Sequence, residues 1–195
     1  TTNVLNMPMH KIEVDVMRLG GGFGGKEDQA TPYAAMVALA AHKINKPVKM
    51  VLPRQEDMRI TGKRHPYSSD YKIGLSKDLE ILAYEASFYQ NAGAAADLSP
   101  AVLQRTMTHA TNSYFIPNVK ATGYSCRTNL PPFTAFRGFG GPQGMFVIES
   151  AIHHAAKKLG VDPLEVQKKN LLKNDDEFPY GQIVEHGNAI KCWNN

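Results

Sequence analysis

Two glycine-rich segments carry the residue types that point to chemistry at a ligand site. LGGGFGGKED (19–28) sets one phenylalanine among five glycines and ends in Lys26, Glu27 and an aspartate, and FRGFGGPQG (136–144) repeats its tetrapeptide GFGG. Glycines let a bulky ligand approach the main chain closely. A carboxylate binds ring N–H groups or carries a proton. Two phenylalanines, an acid and an arginine converging on one cavity would suit a flat, polar heteroaromatic molecule.

Two phosphate-binding patterns fit the first segment in part. GxGxxG occurs from Gly20 to Gly25, but the preceding segment 11–19 carries charges that do not suit the buried central strand of a parallel sheet. GxxxxGK[ST] holds as far as Lys26, and then Glu27 stands where a hydroxyl must bind magnesium. A carboxylate there would repel a bound triphosphate. A nucleotide-binding domain is therefore disfavoured, and micromolar binding of ATP or NAD would revive it.

The elements that must position these segments predict an α+β fold, with mixed sheets and with helices that begin at glycine-rich turns. Alternating apolar and polar residues predict strands at 11–19, 47–53 and 119–129, and a hairpin over 71–93 that turns at Lys77 and Asp78. Helical patterns and end signals predict helices at 30–43, at 98–110, from the second glycine segment to Gly160, and from Asp162 onward.

The tetrapeptide GFGG occurs at 22–25 and at 138–141, each time ahead of a predicted helix. Two helix N-termini, with their free N–H groups, would then face whatever lies between them. Glycines also form tight turns without any ligand, and for a single loop that explanation is the simpler one. Finding the same tetrapeptide twice in the same context favours a shared ligand site.

Composition excludes several classes of protein. The chain has 195 residues, 43% of them hydrophobic, and a net charge of +4 without a basic stripe, so we expect a globular protein in the cytoplasm that binds neither nucleic acid nor membrane. Cys126 and Cys192 lack the spacing of a zinc or iron–sulfur motif, and the adjacent His153 and His154 point in different directions on a helix. Because the sequence starts at Thr1 rather than Met and both ends look arbitrary, we expect residues 1–195 to be a fragment of a longer protein.

Read together, GGGFGGKE and TAFRGFGGPQG resemble the molybdenum-cofactor subunit of the xanthine dehydrogenase/oxidase family. The similarity runs from about residue 8 to the end. Further matching strings lie between the two glycine segments: EDMRITGKRHPY (56–67), ADLSPAVLQRTMTH (96–109) and SCRTNLPPFTAFRGFGG (125–141). The order and spacing of these strings make the resemblance specific, and it places the fold with the molybdopterin-binding domain of that family.

The resemblance implies a molybdenum–molybdopterin cofactor and hydroxylation of a carbon that lies beside a nitrogen. Electrons would leave through 2Fe-2S clusters and FAD, held by other domains or subunits, to NAD or oxygen, in an enzyme that we expect to be an oligomer. The general-base glutamate of the family lies outside this chain, as do another stretch that contacts the cofactor and a glutamine amide. We therefore expect the isolated chain to be inactive.

Six site residues follow from the resemblance by position. The backbone amides of Phe23 and Arg137 should face the ligands of the molybdenum, with Gly24 permitting the close approach. Glu27 should hydrogen-bond a purine and help to shift its tautomer, and Arg105 should stabilise negative charge on the purine oxygen. The last of the six, Phe139, should meet the substrate ring edge to face.

Glu27 and Arg105 together favour hypoxanthine or xanthine, oxidised to urate, because aldehyde-oxidising members of the family generally lack this pair. Taken without the resemblance, Arg105 is an exposed helix arginine and Glu27 an acid favoured at a helix N-terminus. Two alternatives stay open. One is an aldehyde or other N-heterocycle hydroxylase of the same family, and the other is an inactive fragment that serves only in folding or subunit contact.

Overall fold

The computed structural model describes all 195 residues as an α+β fold with seven α-helices and three strands. In chain order the elements are α1 (Thr2–Leu5), α2 (Thr31–Ile44), α3 (Arg54–Ile60), β1 (Tyr67–Leu75), β2 (Ile81–Gly93), α4 (Ser99–Thr108), β3 (Val119–Arg127), α5 (Gly141–Leu159), α6 (Pro163–Lys169) and α7 (Ala189–Asn194), with a 3₁₀ turn at Met9–Lys11. None of the helices combines the length and the apolar composition that crossing a membrane demands.

The three strands form one mixed sheet in the order β1-β2-β3. β1 and β2 are antiparallel and enclose Lys77 and Asp78, which confirms the predicted hairpin. β2 and β3 are parallel, and α4 lies in the connection between them, as a parallel pair requires a crossover. The predicted strand at 119–129 and the four predicted helices are also confirmed, as β3 and as α2, α4, α5 and α6.

A single core forms where helices pack on the sheet. It contains 15 buried residues: Ile81, Tyr84, Ala86, Phe88, Leu103, Ala110, Tyr114, Ile116, Val147, Ile148, Ala151, Ile152, Ala156, Val166 and Leu171. Five of these lie on α5, at the spacing that keeps side chains on one helical face. α5 is followed by Gly160 in a left-handed conformation, and the Asp162 side chain accepts from Leu164 N, so both end signals act as predicted.

The strands predicted at 11–19 and 47–53 are wrong, because neither segment is a strand in the structure. Alternation stabilises a strand only where a neighbouring strand supplies hydrogen-bond partners and one face is buried. Neither condition is met at 11–19, where Val14, Val16 and Met17 are exposed. No residue before His65 is buried in this chain, so the core is made by the segments that follow.

Candidate functional site

The two GFGG segments share the backbone conformation of their two central residues. Phe23 has a φ of 57° and Phe139 a φ of 50°, both in the left-handed region that non-glycine residues rarely adopt. The glycine after each phenylalanine is also left-handed, with φ of 95° at Gly24 and 99° at Gly140. Left-handed phenylalanine costs free energy, and it occurs here at the same position of both tetrapeptides. The repeated sequence therefore repeats this central pair, whereas the outer glycines differ: Gly138 is left-handed and Gly22 is not, and Gly25 is left-handed where Gly141 begins α5.

The segments differ in how they lead to a helix. α5 begins at Gly141, inside the second GFGG, whereas α2 begins at Thr31, with Pro32 in its first turn. Glu27 therefore precedes the first turn of α2. Its residue type is not explained by the helix dipole, which acts only within that turn.

The first glycine segment packs directly on the residues that lead into the second. A Cβ atom added at Gly24 would lie 2.8 Å from the Ala135 carbonyl oxygen and 3.1 Å from the Phe136 Cα. One added at Gly25 would lie 3.2 Å from the Thr134 methyl group. Two stretches of main chain thus meet at a distance that side chains would prevent, which brings Phe23 and Arg137 into one region of the molecule.

Lys26 fixes the direction of the Phe23 amide. The Lys26 ammonium group donates to the Gly22 carbonyl at 2.8 Å and to the Gly24 carbonyl at 3.3 Å. In a planar trans peptide the C=O and the following N–H point in opposite directions. The Phe23 N–H therefore points away from Lys26, and it donates to no group of this chain.

The Arg137 amide is turned outward by the same geometry. The Phe136 carbonyl accepts from Phe139 N at 2.7 Å, so the Arg137 N–H, on the other side of that peptide, points away from the turn and has no partner in this chain. Arg64 holds the next peptide, because its Nη2 donates to the Arg137 carbonyl at 2.6 Å. The Arg64 guanidinium also lies 4.6 Å from the centre of the Phe136 ring.

The second glycine segment is fixed to α4 by close packing. A Cβ atom at Gly140 would lie 2.2 Å from the Val102 carbonyl oxygen and 2.7 Å from Thr106 Oγ1, and one at Gly144 would lie 2.5 Å from the Thr106 carbonyl oxygen. The buried Thr106 hydroxyl is 3.1 Å from the Gly140 carbonyl and 2.9 Å from the Tyr67 hydroxyl. Because Tyr67 belongs to β1, these hydrogen bonds of Thr106 connect the second glycine segment to the sheet and fix its position.

Among the predicted substrate residues, the structure brings Arg105 and Phe139 together. The Arg105 guanidinium lies 5.7 Å from the centre of the Phe139 ring, within the range of a cation–π contact. Arg105 is exposed on α4, beside the buried Thr106, and Phe139 is half-buried. Glu27 is exposed, and no hydrogen bond or ion pair within the chain joins it to Arg105 or to any other residue.

His65 lies beside this region as a buried neutral imidazole. The side chain is 2% exposed, its Nε2 is 2.8 Å from Ser99 Oγ at the start of α4, and its Nδ1 has no partner. Burial lowers the pKa of His65 from 6.5 to about 4, against a smaller opposing effect of the Asp97 charge. The folded protein therefore disfavours a proton that the unfolded chain accepts below about pH 6.5.

Stability is expected to fall as the pH decreases from 6.5 toward about 4, because only the unfolded chain gains a proton at His65 in that window. At about 1.4 kcal/mol per pKa unit, acidification to pH 5 removes about 2 kcal/mol of unfolding free energy. Thermal unfolding of the intact protein and of His65→Gln, at pH 7.5 and pH 5, measures the effect. Equal pH dependence in the two proteins would show that His65 does not carry it.

The residues present fit a molybdopterin held largely by backbone donors. No N–H group from Glu13 to Ala30 donates within the chain, and unpaired backbone donors are the groups that bind anionic or oxo ligands. The chain contains no cluster of three or more histidine, cysteine, aspartate or glutamate side chains able to hold a metal. Unpaired backbone donors, and not a set of side-chain metal ligands, are what this region offers such a cofactor.

Sequence reasoning missed four residues that shape the region. Arg64 binds the Arg137 carbonyl, and Gln29, Asp97 and Thr134 form hydrogen bonds between separate segments. Arg64, Asp97 and Thr134 lie within the strings that carried the resemblance, but their residue types alone indicate exposed polar positions. Only the long-range packing of the chain gives them partners.

Comparisons with known proteins identify the family of this chain. The family described as "Molybdopterin cofactor-binding domain" matches residues 1–171. Xanthine dehydrogenase/oxidase of Gallus gallus is 46% identical over 193 residues, which cover 99% of this chain and 14% of that relative. Nicotinate hydroxylase hnxS of Emericella nidulans is 44% identical over 184 residues, which cover 94% of this chain and 14% of that relative.

Among solved structures, the aldehyde oxidoreductase of Desulfovibrio gigas superposes with a TM-score of 0.80 at 33% identity, over 89% of this chain and 19% of that one. The chain thus spans a small part of the length of the proteins that it matches. The fold and the family match agree with one another. The chain therefore belongs to the molybdopterin cofactor-binding domain family, in the group that contains the xanthine dehydrogenases/oxidases.

Proposed function

We propose that this chain forms the part of a molybdenum hydroxylase that binds molybdopterin and a purine, and that the enzyme oxidises hypoxanthine and xanthine to urate. The observation that carries the proposal is the contact between Arg105 and Phe139 on the second glycine segment, which itself meets the first. The proposal is supported further by the unpaired amides of Phe23 and Arg137, which lie on these two segments.

The cofactor would lie against the two glycine segments. The N–H groups of Phe23 and Arg137 would donate to the cofactor ligands, and Gly24 would leave the main chain free of side-chain bulk. When bound, the molybdenum cofactor supplies the oxygen-transfer and two-electron redox chemistry. Conversion of C–H to C–OH takes one oxygen from water and releases two protons and two electrons.

The substrate would lie between the acid and the arginine. Glu27 accepts from a ring N–H of the purine and favours the tautomer that reacts. Arg105 donates to the oxygen on which negative charge accumulates, an interaction that is stronger in the transition state than in the ground state. Phe139 supports the ring from its edge and holds the Arg105 guanidinium beside it.

The remaining parts of the proposed enzyme lie outside this chain. Two electrons per turnover would pass through 2Fe-2S clusters and FAD, on other domains or subunits, to NAD or oxygen. The enzyme would be an oligomer in the cytoplasm. The catalytic general base would also come from another part of the protein, so the isolated chain would be inactive.

Urate formation from xanthine by the intact protein, assayed together with its molybdenum content, tests the proposal. We expect urate in proportion to bound molybdenum. If molybdenum-loaded protein makes no urate, the assignment as a hydroxylase stands and the purine is excluded as its substrate. The same preparation should then be assayed with nicotinate and with aldehydes.

Another N-heterocycle is the second candidate substrate. The 44% identity to nicotinate hydroxylase of Emericella nidulans is close to the 46% identity to xanthine dehydrogenase/oxidase of Gallus gallus, so overall identity does not separate the two substrates. Nicotinate carries a carboxylate that Arg105 would bind and that Glu27 would repel. The relative rates with xanthine and nicotinate therefore decide between them.

A further inference from the structure

Three polar residues from three separate segments form a hydrogen-bonded junction. Gln29 Nε2 donates to Asp97 Oδ2 at 2.7 Å, and Thr134 Oγ1 donates to Asp97 Oδ1 at 2.6 Å. Leu98 N also donates to Oδ1, at 2.6 Å. We name this group the Asp97 junction, comprising Gln29, Asp97 and Thr134. A carboxylate only accepts, so a single aspartate can receive donors from different segments at once.

Both polar atoms of the Gln29 side-chain amide form hydrogen bonds. Its Nε2 also donates to the Pro132 carbonyl at 3.2 Å, and its Oε1 accepts from Gly62 N at 2.8 Å. A Cβ atom at Gly62 would lie 2.8 Å from Gln29 Nε2 and 2.5 Å from the Pro132 oxygen. The amide therefore has a single orientation, because exchanging its oxygen and nitrogen would leave donors facing donors and acceptors facing acceptors.

The Asp97 junction connects the segments that carry the proposed site residues. Gln29 directly follows the first glycine segment, two residues after Glu27, and Asp97 leads into α4, which carries Arg105. Thr134 is buried just before Arg137, and its methyl group faces Gly25. The acid and the arginine lie on segments that have no hydrogen bond between them other than those of this junction.

We propose that Asp97 is a positioning residue, which sets the placement of Glu27 relative to Arg105 by holding Gln29 and Thr134 at the start of α4. The inference rests on the proposed function for the roles of Glu27 and Arg105. The role assigned to Asp97 acts through its hydrogen bonds to Gln29 and Thr134 and requires no contact with substrate or cofactor. Its backbone is left-handed, with a φ of 44°, a conformation that aspartate tolerates better than most residues.

The test variant is Asp97→Asn in the intact protein. Its amide oxygen still accepts from Thr134 and Leu98, but its NH₂ group faces the NH₂ group of Gln29. We expect kcat/KM for xanthine to fall about 100-fold, the loss typical of a misplaced active-site group. The loss for unsubstituted purine, which lacks the oxygen that Arg105 would bind, should be smaller. Molybdenum content should be unchanged.

A second measurement does not depend on activity. The Gly62 N–H has Gln29 as its only partner, so loosening Gln29 should speed hydrogen exchange at Gly62 by roughly tenfold. Asp78→Asn, on the exposed β1–β2 turn, removes the same charge without touching the junction and serves as the matched control. Should Asp97→Asn accumulate poorly, Thr134→Val removes another hydrogen bond of the Asp97 junction, leaves the Gly62 acceptor in place and is measured in the same way.

Adding Gln29→Glu to Asp97→Asn restores a donor–acceptor pair with the roles exchanged. We expect this double variant to recover part of both the Gly62 protection and the xanthine turnover. The positioning role is wrong if Gly62 exchange in Asp97→Asn equals that in Asp78→Asn. Molybdenum loss in step with activity would likewise overturn it, since Asp97 would then act on cofactor retention. Failure of the wild type to make urate affects only the purine assignment, because the Gly62 measurement still tests the junction.

Discussion

Gly140→Ala is expected to lower the free energy of unfolding by roughly 3–5 kcal/mol and to abolish cofactor retention. Two costs add at this position. The φ of 99° is unfavourable for any residue with a Cβ atom, and that atom would lie 2.2 Å from the Val102 carbonyl oxygen. Relief of the contact requires α4 to move away from the second glycine segment, which separates Arg105 from Phe139.

Gly160→Ala is the matched control for Gly140→Ala. Gly160 also has a left-handed backbone, with a φ of 71°, but no atom lies within 4 Å of an added Cβ. It therefore measures the backbone cost alone, about 1 kcal/mol. Thermal unfolding and the molybdenum content of both variants in the intact protein give the comparison. Equal destabilisation of the two would mean that the contact between α4 and the glycine segment is not tight.

The parts of the fold that sequence predicts well are those with local causes. The helix that ends at Gly160 and the one that begins at Asp162 have end signals within a few residues, and each signal is used in the structure. The β1–β2 hairpin likewise depends on a short turn between two alternating runs. Strands at 11–19 and 47–53 failed because strand formation needs a partner strand, and the sequence pattern does not say whether one is present.

In the candidate site, too, features with local causes were predicted and those that depend on distant partners were not. The repeated GFGG predicted one shared region, and the structure brings both segments together with the same left-handed phenylalanine. The functions of Arg64 and Asp97 could not be predicted, because each depends on partners far away in the chain. The resemblance to a family added roles for residues on the glycine segments and α4. Those roles remain predictions that substitution must test.

Combined replacement Glu27→Val and Arg105→Ala is expected to lower kcat/KM for xanthine at least about 1000-fold, since loss of one donor to a developing oxyanion alone costs about 100- to 1000-fold. Both side chains are exposed, and neither forms a hydrogen bond or ion pair within the chain. Stability and molybdenum content should therefore stay close to those of the wild type.

The single variants show whether the two residues act on the same substrate. If Glu27 and Arg105 bind one purine from opposite sides, replacing either residue misaligns the purine and weakens its contact with the other. The loss of kcat/KM in the double variant should therefore be smaller than the product of the losses in the two single variants. Glu165→Val with Arg127→Ala makes the same changes at exposed positions on α6 and β3 and controls for altered charge. Loss of molybdenum equal to the loss of turnover would contradict the substrate role. Both residues would then hold the cofactor or the fold, and the purine would have to be recognised by other parts of the protein.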